Sequence, residues 1–256
     1  MTKRAPILEF DGDRTSILMP DPFRIGVGSL VPARGVLCFF QDVLNGLLEM
    51  GELTHIGDLK SEIGKHPVYT YKFEGKSVTV FHPGIGAPLA AGFLEELIAC
   101  GVTKFIVCGG CGVLNPEIMA GHPVIITSAV RDEGTSYHYL PPAREVKAHP
   151  KAVAALEKTL SAEGVDFRLG KSWTTDAIYR ETPGRRKLRV EEGCDVVEME
   201  AAAFFAVAQF REVVLGQLVY GGDLVVPDGW DGRDWHKRTD DRRLMFDLAV
   251  KAVLQL

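Results

Sequence analysis

The chain lacks any run of about 18–20 apolar residues, so no membrane-spanning helix is expected. It lacks a basic excess: 29 Lys and Arg stand against 34 Asp and Glu, a formal net charge of −5. That balance argues against nucleic acid or an anionic membrane as the main partner. The cluster Arg185-Arg186-Lys187-Leu188-Arg189 is short and runs into Glu191 and Glu192, as a solvated helix face does. Cysteines are few and odd in number, five in all, and the polar, charged stretch Met1 to Arg14 is no secretory leader. Free thiols in a reducing cytoplasm are therefore expected. Cys108-Gly109-Gly110-Cys111 has redox spacing without the strand-to-helix setting of a thioredoxin-like site. No second Cys/His pair stands at zinc spacing, so no metal is expected. A P-loop, a Gly-x-Gly-x-x-Gly fingerprint, an internal repeat and a long linker are all missing.

What is present is an alternation of strand and helix patterns. With 256 residues, of which 46% are hydrophobic, the chain reads as a single domain over 1–256. Residues 1–30 read as an extended N-terminal arm with a short strand near Ser16–Met19. Helical spacing predicts helices over Cys38–Met50, Ala87–Cys100, His149–Gly164, Ala201–Phe210 and Arg242–Gln255. Val68–Phe73 and Ser77–Phe81 alternate around Glu74-Gly75-Lys76, a hairpin signal. Further strands are predicted at Lys104–Cys108, Pro123–Ser128, Asp166–Ser172, Asp195–Met199 and Val214–Tyr220. Strands alternating with helices imply an α/β class.

Two apolar runs end in carboxylates. Val196-Val197 leads into Glu198-Met199-Glu200 and an apolar helix, and Val213–Tyr220 leads into Gly221-Gly222-Asp223. Acids delivered by elements that look buried need partners, and ligands of α/β sheets gather at the carboxyl ends of strands. These acids are therefore expected in one small-molecule site. Two glycine turns are expected nearby, Pro83-Gly84-Ile85-Gly86 before a helix and Gly109-Gly110-Cys111-Gly112 after a strand. Glycine permits close backbone approach, and a helix N-terminus attracts anions.

In this order the motifs resemble the nucleoside phosphorylase family of the purine nucleoside and uridine phosphorylase kind, with its related nucleosidases. The resemblance runs from about Val78 to Asp223. It rests on both glycine turns, Ser128-Ala129-Val130-Arg131-Asp132-Glu133-Gly134-Thr135-Ser136, Trp173-Thr174-Thr175-Asp176-Ala177-Ile178-Tyr179 and, most specifically, Val197-Glu198-Met199-Glu200-Ala201. It implies a three-layer α/β/α fold around a twisted central mixed sheet, and cleavage of a nucleoside N-glycosidic bond. Phosphate is the implied co-substrate, no metal or organic cofactor is implied, and the assembly is a homo-oligomer, a dimer or hexamer. Glu200 would hold the ribose hydroxyls with Met199 packing on the sugar. Ile178, Tyr179 and Glu198 would adjoin the base, though Glu198 reads equally as a brace. Asp223 would be the general acid that protonates a purine leaving group. Uridine-cleaving members lack that acid, so a purine is favoured.

The phosphate site departs from the family. Val107 stands where the family's phosphorylases have an arginine, Gly110 stands for a Ser or Thr, and Thr70 occupies the position of an arginine lent by a neighbour. Gly84, Gly110, Arg34 and Arg131 are the candidate phosphate ligands, with Arg24 and His82 as further cations. Phosphorolysis, hydrolysis by water and non-catalytic nucleoside binding all remain open. His138 reads as a loop residue between tyrosines, and Trp230, Trp235 and His236 lie on a loop that reads as a lid or a subunit contact.

Overall fold

Phe105-Ile106-Val107-Cys108 is apolar without alternation, the mark of a strand covered on both faces. In the computed structural model, which describes residues 5–21, 27 and 31–256, it forms the core of β5, Lys104–Val113. The other strands are β1 Arg34–Cys38, β2 Leu53–Ser61, β3 Gly64–Phe73, β4 Lys76–Phe81, β6 Pro123–Asp132, β7 Glu145–Lys147, β8 Arg168–Thr175, β9 Cys194–Glu198, β10 Val214–Val226 and β11 Gly229–Asp231. The helices are α1 Gln41–Glu49, α2 Ala87–Ala99, α3 Pro150–Ala162, α4 Pro183–Glu191, α5 Ala201–Arg211 and α6 Thr239–Val253.

All strands belong to one mixed sheet, ordered β11-β10-β6-β8-β9-β5-β1-β4-β3-β2, with β7 on β6. Helices α2 and α5 bury one face and α1, α3 and α6 the other, giving an α/β/α sandwich. Two parallel blocks make up the centre. Strands β4, β1, β5 and β10 form one, and β6, β8 and β9 the other. The blocks are antiparallel to each other, at β10–β6 and at β5–β9. The β5–β9 contact pairs Gly112 with Val197 and Val113 with Val196, so both blocks bring carboxyl ends together there. Because β10 also bonds β5, this part of the sheet closes on itself.

Several sequence expectations change. Cys38 ends β1 rather than opening a helix, and Ser16–Met19 holds a bend instead of a strand. Gly109 to Gly112 do not form a turn; they continue β5 as bare strand, covered by the Phe39 ring at Gly109 and by Val197 at Gly112. Strand β10 likewise runs on through Gly221-Gly222-Asp223 to Val226, so Asp223 projects from within a strand. The acidic and basic α4, and strands β2 and β7, carry too little apolar patterning to be read from sequence. Among the described residues no helix is long and apolar enough to cross a membrane.

Candidate active site

The meeting of carboxyl ends gathers the acids. Glu198 closes β9 and is buried. Its Oε1 accepts from Ser172 Oγ at 2.8 Å and Thr174 Oγ1 at 2.6 Å, both on β8. Its Oε2 accepts from the backbone N–H of Glu200 at 2.8 Å and of Ala201 at 2.6 Å. The carboxylate therefore caps the N-terminus of α5, where free amides favour negative charge. Burial pushes its carboxyl up, and the four donors oppose that rise. Of the two readings of Glu198, base contact and brace, these bonds favour the brace, because the chain's own donors engage both oxygens.

Glu200 is held differently. It is 6% exposed, and Gly86 N–H gives a 2.6 Å bond to Oε1. Burial raises its carboxyl to about 8, and the neighbouring Glu198 charge adds to the rise. The first glycine turn thus donates to a carboxyl, that of Glu200. Gly84 is corrected as a phosphate ligand, since its N–H donates to His82 Nδ1 at 3.1 Å. His82 Nε2 in turn donates to Phe39 O at 3.2 Å. Those two bonds define a neutral Nε2–H tautomer, and burial lowers the imidazole's proton affinity further. His82 therefore brings no positive charge.

The candidate arginines are placed differently from one another. Arg34 starts β1 in register with Lys104, and Gly112 lies eight residues further along β5, roughly 25 Å away at strand rise. It stands at the wrong end of the block. Arg131 is buried and donates to Ser136 Oγ, Pro141 O and Leu140 O of its own loop while stacking on Tyr137 at 4.3 Å. Three of its five N–H donors thus tie down the loop after β6. Arg24 lies outside the described residues. Gly110 remains exposed, beside the Tyr220 ring.

At the other end of the cluster, Asp223 Oδ2 lies over Gly112, 3.5 Å from where a side chain there would begin. The buried Cys111 beside it has its thiol raised by burial, then by the charges of Asp223 and Glu198, which links the two acids through one residue. Glu181, at the end of the turn Ile178–Arg180, has its carboxyl raised to about 7 by burial and by the Asp223 charge. The sequence reading passed over Glu181; its only signal was an acid in the loop expected to meet the base. Met199 is half-buried between the two glutamates, Ile178 is half-exposed, and Tyr179, at 93% exposure, points into solvent rather than over the site. An apolar groove lined by Ala148, Val153 and Gln209 contains none of these acids.

A family model for the phosphorylase superfamily matches residues 33–252. The chain belongs to this superfamily of nucleoside phosphorylases, and it is an enzyme of that kind. A guanosine phosphorylase of Halorubrum lacusprofundi is 31% identical over 214 residues, 81% of this chain and 88% of that protein. A uridine phosphorylase of Treponema pallidum is 33% identical over 204 residues, 74% of this chain and 77% of that protein. The structure of a purine nucleoside phosphorylase from Toxoplasma gondii, solved with immucillin-H, superimposes with a TM-score of 0.78 at 20% identity. It covers 88% of this chain and 91% of that one, and shows the shared fold. As a nucleoside phosphorylase, the chain acts in nucleoside metabolism, and its family uses phosphate as co-substrate.

Proposed function

We propose that this phosphorylase cleaves the N-glycosidic bond of purine nucleosides, 6-oxopurines above all, passing the ribosyl group to phosphate. The observation that carries this reading is the pair of carboxyl groups, Asp223 and Glu181, at one end of the acid cluster. A purine departs readily once N7 is protonated, which calls for an acid facing the base. A 6-oxopurine also presents an N1–H donor, and an ionised carboxylate is an acceptor only. Adenine offers an acceptor at N1 and would oppose such a group. The halophile relative's name, guanosine phosphorylase, points the same way.

Glu200 takes the sugar. Two adjacent ribose hydroxyls donate to its carboxylate, replacing the water that burial has removed. Met199 supplies a pliable apolar surface beside it. The C1′–N9 bond breaks through an oxocarbenium-like state, and positioning with charge stabilisation does most of the work. A second reading, attack by water, draws on one observation. Arg34 starts β1 at the end away from the acids, His82 is neutral and Arg131 spends three of its donors on its own loop, while a phosphate dianion needs a cation.

The test is product analysis on guanosine, inosine, adenosine and uridine, with and without phosphate. Ribose 1-phosphate formed only with phosphate, fastest from the 6-oxopurines, supports the proposal. Free ribose at equal rates in both buffers makes the enzyme a nucleosidase. Preference for uridine sinks the base assignment.

A further inference from the structure

We propose that Trp230 is a positioning residue for cleavage: its indole N–H holds one oxygen of Asp223 and leaves the other turned to the purine. This inference rests on the purine reading above. Trp230 Nε1 donates to Asp223 Oδ2 at 2.7 Å. The hairpin of β10 and β11 creates the contact, pairing Val225 with Trp230 and Leu224 with Asp231. Asp223 precedes Val225 by two residues, so it shares a face with Trp230 and meets it diagonally.

Burial does not explain this tryptophan, which is 66% exposed. The segment around it is nevertheless built to hold the ring. A side chain at Gly232 would begin 2.9 Å from the Trp230 ring, so the glycine clears its place. Arg233 and Asp234 follow with φ of 44° and 51°, a conformation that non-glycine residues adopt only under constraint. The constraint is visible. Arg233 N donates to Asp231 Oδ1 at 2.9 Å, and Arg233 NH1 reaches Ile118 O at 2.9 Å across the site's edge. A strained turn pinned at both sides therefore fixes β11 against Asp223.

The chemistry suits an indole. Glu181 and the Cys111 thiol face Asp223 from the other elements. A tryptophan N–H orients the carboxyl without bringing a charge of its own and cannot surrender its proton. In the cleavage step the C1′–N9 electron pair moves onto the purine and the proton from Asp223 lands on N7. Trp230 takes no part in either transfer and acts through Asp223 alone.

The experiment compares two substrates in the full-length enzyme. Inosine needs its leaving group protonated; 4-nitrophenyl β-D-ribofuranoside does not. Trp230→Phe keeps the ring and removes the donor. The ratio of kcat on inosine to kcat on the nitrophenyl riboside is expected to fall about 10- to 100-fold, with KM for inosine little changed. Trp230→His, which retains a ring N–H, should recover part of that ratio. In the Asp223→Asn background, Trp230→Phe should add nothing further. Equal losses on both substrates, or a multiplicative loss in the double variant, would overturn the positioning role. Failure of the unaltered enzyme to cleave inosine would overturn the purine reading, and this inference with it.

Discussion

The two ends of the acid cluster are built on opposite principles. At the end proposed to take the sugar, Glu198 and Glu200 are buried, and Glu198 has each oxygen met by two donors of the chain itself. At the end proposed to meet the base, Asp223 projects from the late part of β10, its visible partner is an exposed tryptophan, and Glu181 ends a surface turn. The first end is part of the core and is specified by packing. The second is set on a hairpin and a loop, which can change without disturbing the core. Relatives named for guanosine and for uridine match this chain at similar overall identity, 31% and 33%.

The sharpest way to break this contrast is at Asp223. Asp223→Asn should lower kcat on inosine by about 10²–10⁴-fold with stability unaltered, as steady-state kinetics and thermal melting would read. A large loss of stability instead would mean that the base end is also core.

Glu198 and Glu200 should then separate stability from activity. Glu198→Ala strands four donors and uncaps α5, so it should cost about 2–4 kcal/mol in denaturant unfolding at pH 7. Glu200→Gln should do the reverse. The folded carboxyl, at about 8, keeps its proton from near pH 4.5 upward while the unfolded one has lost it. Stability therefore falls as pH rises through that window. The Gln variant should match the unaltered protein near pH 4 and exceed it by about 2–4 kcal/mol at pH 8, while losing sugar binding.

A smaller effect is expected at Glu181. Its carboxyl ionises near pH 7 and accepts N1–H more strongly when ionised, so KM for inosine should rise as pH drops below 7. Glu181→Gln should raise that KM about tenfold, abolish its pH dependence and leave adenosine almost unaffected. The smallest effect belongs to Arg34, at the far end of β1. Arg34→Gln should change KM for phosphate by less than about twofold in initial-rate assays.

Much of this was legible in the residues. The apolar runs of β5 and β10, the helix after Glu200 and the order of the acids all follow from local pattern, and the family from the resemblance of the motifs. The misplacements share one physical cause. Arg34 and Arg131 carry the right charge for phosphate, but strand register takes one to the wrong end and a loop's carbonyls engage the other. Gly109 to Gly112 read as a turn because glycine usually breaks strands, whereas here the bare backbone lets Phe39 and Val197 pack against β5. Glu181 carried little local signal, since its altered carboxyl depends on burial and on Asp223, distant in sequence.

By itself the sequence determined which segments are apolar strands, which helices follow them, and that Glu198, Glu200 and Asp223 leave apolar elements, Asp223 beside two glycines. Those are short-range properties, set by side-chain periodicity and backbone preference. Only the tertiary structure decided that two antiparallel blocks meet at β5 and β9, and that Glu198 is a brace while Glu200 is left with unfilled acceptors. It also decided that Trp230 reaches Asp223. Hydrogen-bond partners and loss of water are supplied by neighbours far along the chain, so they exist only once the sheet has closed.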